Sequence, residues 1–454
     1  MSLQSINPAT GDVLETLATW PAERVESALD TAAETARSWA ATPLRDRCRI
    51  VSRAAGVLRD RREELARTMS LEMGKCINEA RAEVDKCAWV CEHYAEHGPA
   101  YLEPEVVASD AGRSYVVFQP LGAVLAVMPW NFPLWQVFRF AAPALVAGNV
   151  GLLKHASNVP RCAVEIERVW QAAGAPDGAF TTLMIRASEV APVIADPRVR
   201  AVTLTGSDPA GRQVAAAAGR ALKKTVLELG GSDPFVVLED ADLDLAVEQG
   251  VTSRFLNAGQ SCIAAKRFIL VDSIAEAFLE RFRSRVEQLR PGDPLDETTT
   301  LAPLARHDLR DEIHQQVLDS VAAGARVLCG GEPLPGPGAF YAATILDAVR
   351  PGMRAYEEEL FGPVAVVLRA TDEADALRLA NDTPFGLGAA VFSGDTARAE
   401  RFALQMEAGA AFVNGMVKSD PRLPFGGIKL SGYGRELGRE GIREFVNIKT
   451  VWIR

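Results

Sequence analysis

Apolar runs of strand length alternate with helical stretches along most of this chain, and no other feature narrows its fold as much. VLAVMP leads into NFPLWQVFRFAAPALVAG, VGLLKH into the helix around RCAVEIERVWQAAG, FTTLMI into ASEVAPVIADP, and AVTLTG into PAGRQVAAAAGRAL. That alternation is the signature of a parallel sheet with crossover helices. A second series, PFVVLED, KRFILVD, ARVLCGG, AVVLRA and AAVFSG, is spaced by helices such as IAEAFLERFRSRVEQLR. The 454 residues are too many for one core, so two or three domains are expected. The two series predict two α/β domains joined near Glu228–Ser232. Residues 22–97 read as helices ahead of them, and SYVVFQPLGAVLAVMP as strands. The end, FVNIKTVWI, is strand-like without a place in either sheet. It is expected to pair with the charge-free hairpin near Ser114 or with a second subunit.

Charge and cysteine usage exclude several partners. A net charge of −10 and the absence of basic blocks argue against nucleic acid. Residues 114–138 carry no charge, but Pro120, Pro129 and Pro133 interrupt them, so a buried strand–turn–helix is expected rather than a membrane span. The start, MSLQSINPATG, lacks the basic and apolar regions of a signal peptide. Seven cysteines, with no zinc-like pairing of CxxC motifs, predict reduced thiols in the cytoplasm and no metal site. Cys87 and Cys91 read as packing residues on one helix face.

Four stretches carry chemistry. In AVTLTGSDPAG a strand ends in Gly206-Ser207, where a phosphate could approach the backbone at a helix N-terminus; a plain strand-to-helix turn accounts for the same residues. In MPWNFP, Trp130 and Asn131 sit where a strand gives way to a helix, so the amide of Asn131 is placed either to hold an oxyanion or to cap the helix. In TVLELGGSDP, Glu228 stands in an apolar strand, where burial would raise its pKa toward that of a usable base. In NAGQSCIAA, Cys262 follows small residues that leave space at a thiol.

Taken together, PWNFP, LLKHAS, LTGS, LELGG, GQSC, EELFGPV and PFGGIK resemble the aldehyde dehydrogenase superfamily, in its order and over nearly the whole chain. The resemblance implies a Rossmann-like cofactor domain (residues 1–98 and 121–227), an α/β catalytic domain (228–415) and a small β oligomerisation element (99–120 and 430–454). It implies a homodimer or homotetramer acting on a small-molecule aldehyde. Cys262 becomes the nucleophile, Glu228 the general base, and Asn131 the oxyanion donor together with the backbone N–H of Cys262. Lys154 falls on the adenosine ribose position, Glu359 on the nicotinamide ribose position with Phe361 beside it, and Trp130, Gly206 and Ser207 on cofactor-contacting positions.

Ser157, three residues after Lys154, stands where NAD-preferring members often have a glutamate. A serine can donate to a 2′-phosphate that a carboxylate would repel, so NADP is the expected cofactor and NAD the alternative. KHASN, LELGGSDPF, AAKRFI and NIKTVW are similar to the succinic semialdehyde subgroup, which has an arginine at the position of Arg139. An arginine in so apolar a helix needs an anion, either a substrate carboxylate or an internal partner such as Glu436. Ser419 and Phe425 are expected along the substrate tunnel. Three positions depart from the subgroup. A second arginine is replaced by Leu256, a second cysteine by Ala264, and the lysine that often partners the glutamate of GRELG by Phe140, which leaves Glu436 without its usual neighbour. The alternatives are another small, glutaric-semialdehyde-like or aromatic aldehyde, transfer of the acyl group to coenzyme A, or a structural relative without activity.

Overall fold

The computed structural model describes residues 2–454. Four helices, Ala22–Ala41, Leu44–Asp60, Arg62–Met73 and Ile77–Tyr101, follow an antiparallel hairpin of Ser2–Ile6 with Val13–Ala18. The first large sheet has six strands in the order Gly432–Tyr433, Lys224–Glu228, Val199–Thr205, Ala123–Met128, Val150–His155 and Phe180–Thr182. All run parallel except Gly432–Tyr433, which closes one edge antiparallel to Lys224–Glu228. The chain starts at the central strand Ala123–Met128, builds outward on one side, then returns to the other. This order creates a switch point at which a crevice opens beyond the strands' carboxyl ends.

The second sheet has seven strands: Arg326–Cys329, Thr344–Asp347, Val364–Ala370, Ala265–Val271, Asp233–Val237, Gly388–Phe392 and Ala410–Val413. Only the pairing of Arg326–Cys329 with Thr344–Asp347 is antiparallel. Its central strands are apolar at consecutive positions because both faces are covered. Phe235, Phe268 and Val367 pack into one cluster, and Val236, Ile269 and Val366 into another on the opposite face. The strand Lys224–Glu228 of the first sheet and the strand Asp233–Val237 of the second are separated by four residues, 229–232, over which the chain passes from one sheet to the other.

The C-terminal strand Val446–Ile453 pairs antiparallel with Arg113–Pro120, which also pairs with Glu105–Val106. Of the two partners expected for the tail, the hairpin near Ser114 is the one it meets in this chain. FTTLMI is strand only over Phe180–Thr182; Leu183 still donates to the Leu153 carbonyl of the neighbouring strand (2.7 Å), and the chain then turns where the Ile185 N–H donates to the Leu183 carbonyl (2.8 Å). Among the described residues, no helix is long and apolar enough to cross a membrane.

Candidate active site

Register brings the expected residues to one edge. Val127 lies opposite both Lys154 and Leu204, and Thr205 lies opposite Glu228. Trp130, Asn131, Lys154, Ser157, Gly206, Ser207 and Glu228 therefore all sit at or just beyond the carboxyl ends of neighbouring strands. Asn131 does not cap the following helix, whose N-cap is Leu134. Its amide donates instead to the carbonyl of Gln260 (3.0 Å), two residues before Cys262. That bond fixes the carboxamide and leaves its second N–H for another acceptor.

The loop leading to Cys262 is held in an uncommon shape. Asn257, Ala258 and Gly259 have φ of 55°, 52° and 74°, three left-handed residues in a row. A non-glycine residue there costs about 1 kcal/mol or more, so surrounding contacts must impose it. They do so from several elements. Both carboxylate oxygens of Glu79 accept the Asn257 N–H (3.1 Å each), Arg254 donates to the Gly259 carbonyl (2.9 Å), and Gln260 accepts from the Ala305 N–H (2.9 Å). Lys266 donates to the carbonyls of Ser261 (2.8 Å) and Cys262 (2.9 Å). Gly259 is required twice over: its φ is positive, and a Cβ would meet the Gly362 carbonyl oxygen at 2.3 Å. Burial pushes the Cys262 thiol up to about 12, while Arg139 and Lys266 pull the other way.

Glu228 is 2% exposed, and neither of its oxygens has a hydrogen-bond partner among the described residues. Gly426 makes room for it, since a Cβ there (φ +154°) would lie 2.7 Å from Glu228 Oε1. The facing carboxylate, Glu436, is ion-paired with Arg139, which also donates to Thr205 Oγ1 (3.3 Å) and lies over the Phe425 ring (4.7 Å). One guanidinium thus serves two buried carboxyls. It can balance one negative charge, so the other carboxyl holds its proton. Burial first and Glu436 second raise Glu228 well above the usual carboxylate range, with Arg139 opposing. Phe140 points to a different neighbour, packing edge-on against Phe445 (5.9 Å). The ion pair with Glu436 is made by Arg139, one residue earlier.

A cavity of about 190 Å³ opens beside Cys262. Its walls include Phe132, Trp135, Leu256, Ile263 and Met416, and its polar lining includes Arg139, Ser419 and Gln136. Phe425 lines it as well. Arg139 is thus both an internal ion-pair partner and a cavity residue. Four charged side chains in the lining were not singled out from the sequence: Lys86, which donates to Ser419 Oγ (2.8 Å), Glu79, whose carboxyl burial pushes up to about 7, Glu83, and the exposed Lys418.

On the other side of the crevice, Trp130 meets Phe361 edge-on at 5.8 Å. Glu359 accepts from the Gly231 N–H (3.1 Å) and pairs with Lys266 (3.1 Å). Ser207 is the N-cap of the helix Asp208–Arg220, yet its exposed hydroxyl makes no capping bond. Lys154 is 7% exposed and has no hydrogen-bond or ion-pair partner among the described residues; burial alone lowers its pKa. An unpaired buried ammonium beside the exposed Ser157 fits an anionic ligand such as a nucleotide phosphate.

This architecture, a switch-point crevice facing a loop-held cysteine, is that of the aldehyde dehydrogenase family, to which the chain belongs: the family pattern matches residues 1–451. A probable NADP(+) succinate-semialdehyde dehydrogenase of Synechocystis is 53% identical over 453 residues, covering 100% of both chains. An NAD(P)+ succinate semialdehyde dehydrogenase of Escherichia coli is 50% identical over 448 residues, 99% of this chain and 97% of that one. Among solved structures, the succinic semialdehyde dehydrogenase of Streptococcus pyogenes in complex with NADP+ superposes with a TM-score of 0.98 at 39% identity, covering 99% of each chain.

Proposed function

We propose that this chain oxidises succinic semialdehyde to succinate with NADP as the preferred cofactor. The observation that carries the reading is the cavity, which joins a cysteine on a tightly held loop to apolar walls that also carry Arg139, Lys86 and the Ser419 hydroxyl, while its carboxylates Glu79 and Glu83 are bound to backbone N–H groups. A short aldehyde with a carboxylate at its other end matches that lining.

Each residue then has a task. Cys262 attacks the aldehyde carbon as its thiolate and forms a thiohemiacetal. The free N–H of Asn131 and the peptide N–H of Cys262 hold the oxyanion, worth about 3 kcal/mol per donor. Lys154, Ser157, Gly206 and Ser207 bind the adenosine side of the cofactor, and Trp130, Glu359 and Phe361 the nicotinamide side. The bound cofactor supplies a hydride acceptor. Glu228, resting protonated, must first give up that proton, and its ionised form then takes one from the water that hydrolyses the thioester on Cys262. Arg139, Ser419 and Phe425 line the substrate. The division into residues 1–98 with 121–227, 228–415, and 99–120 with 430–454 follows from these tasks, the last group forming contacts between subunits of a dimer or tetramer.

An aldehyde panel run with both cofactors tests this. Succinate and NADPH are expected, with no acyl-CoA when coenzyme A is added. Cys262→Ser should abolish turnover. Acyl-CoA formation, or full velocity in the serine variant, would overturn the reading.

A further inference from the structure

Lys86 lies on the helix Ile77–Tyr101 among acidic neighbours that give it the look of a solvated surface charge. Every one of those neighbours is engaged elsewhere. Glu83 is ion-paired with Lys75 and accepts from the backbone N–H groups of Leu134 and Trp135 (2.9 Å each). Asp85 binds Arg62 (2.9 Å). From the opposite loop, Asp420 is held bidentately by Arg422 (2.8 and 2.6 Å). Glu79, also in the cavity lining, is held on the Asn257 N–H, and Glu436 is taken by Arg139. Lys86 is left with a hydroxyl, Ser419 Oγ at 2.8 Å, and a ring face, Trp135 at 4.3 Å. Of the cations lining this cavity, Arg139 is paired with Glu436 and Lys418 is exposed to solvent; Lys86 is the half-buried one whose charge no carboxylate of the chain matches.

We propose that Lys86 is the specificity-determining anchor for the substrate's carboxylate, with Ser419 and Trp135 presenting its ammonium to the cavity. The inference rests on the succinic semialdehyde reading above and names the residue that makes it selective. Arg139 can lend N–H donors, but Glu436 already balances its charge, so its net attraction for a second anion is small. Lys86 carries an unbalanced charge in a largely apolar cavity, where a carboxylate gains the most from it. Burial and the nearby guanidinium of Arg139 push the ammonium down to about 8, the direction a missing anion would give. At neutral pH it remains mostly charged and ready to receive one.

The test compares succinic semialdehyde with butanal, which has the same chain length and no charge, on the full-length enzyme with NADP. Lys86→Gln should lower the preference for succinic semialdehyde, as the ratio of kcat/KM values, by roughly 10- to 100-fold. The loss should appear in KM rather than kcat, as expected for an anchor remote from the bond changes. Lys86→Arg, which keeps the charge, should retain most of the preference, and it decides the matter if the glutamine variant does not fold. If the wild type prefers succinic semialdehyde and Lys86→Gln does not change that preference, the anchor is overturned while the substrate reading stands. Equal losses on both aldehydes, or a loss confined to kcat, also overturn it. A wild type without preference for the charged aldehyde sinks the substrate reading and the anchor with it.

Discussion

Replacing Glu228 with glutamine separates what this side chain does for turnover from what it costs the fold. The carboxyl is buried, unpartnered and opposed by Glu436, with Arg139 the shared cation. Its folded pKa therefore lies well above the unfolded value of about 4.3. Between those two values the folded chain keeps a proton that the unfolded chain releases. Stability is full below the lower value and declines as pH rises, by up to about 1.4 kcal/mol per pH unit, until the folded carboxyl ionises. The glutamine variant lacks this slope. Its new amide donors are also unsatisfied, a pH-independent penalty of about 1–3 kcal/mol. The melting temperature of the variant relative to wild type should therefore climb as pH rises through the neutral range. In the stopped-flow spectrometer, acylation needs only Cys262 and the oxyanion donors. A burst of about one NADPH per subunit should precede a steady state slowed roughly 10²- to 10⁴-fold. A melting difference constant with pH would refute the buried-proton argument, and an undiminished steady state would refute the base.

Two further outcomes follow from the same contacts. Arg139→Met strands Glu436 beside Glu228 without a cation and should destabilise by about 3–5 kcal/mol in chemical denaturation, whereas the double replacement with Glu436→Met should recover much of that, since a buried pair is worth little against apolar packing. Ser157→Glu should set a carboxylate against the 2′-phosphate and lower the NADP-to-NAD ratio of kcat/KM by at least about tenfold, the equivalent of about 1.4 kcal/mol, read from initial rates with each cofactor.

The alternation of apolar runs with helices made both parallel sheets legible, because strands covered on two faces advertise themselves by continuous hydrophobicity. Shorter elements escaped. Thr344–Asp347 and Ala410–Val413 are four residues each, too brief for any period to emerge. The hairpin of Ser2–Ile6 with Val13–Ala18 is mostly exposed and polar, so it lacks that signature too. Cys262, Glu228 and Asn131 stood out in the sequence because short motifs surround them. The ion pair of Arg139 with Glu436 was one of two options for a buried guanidinium, and the sequence had no means to rank it against an external anion. Lys86 gave no signal at all. Its meaning depends on Ser419, 333 residues away, and on the prior engagement of every carboxylate around it. Such information exists only after folding.

The loop from Asn257 to Cys262 is fastened by Glu79, Arg254, Lys266 and Gln260, whereas the bulk of the aldehyde's enclosure comes from Phe132, Trp135, Ile263 and Met416. Reactivity and taste are thus entrusted to largely separate sets of side chains. A lineage carrying this scaffold can re-cut the chamber for new aldehydes, one wall residue at a time, while the sulfur keeps its aim.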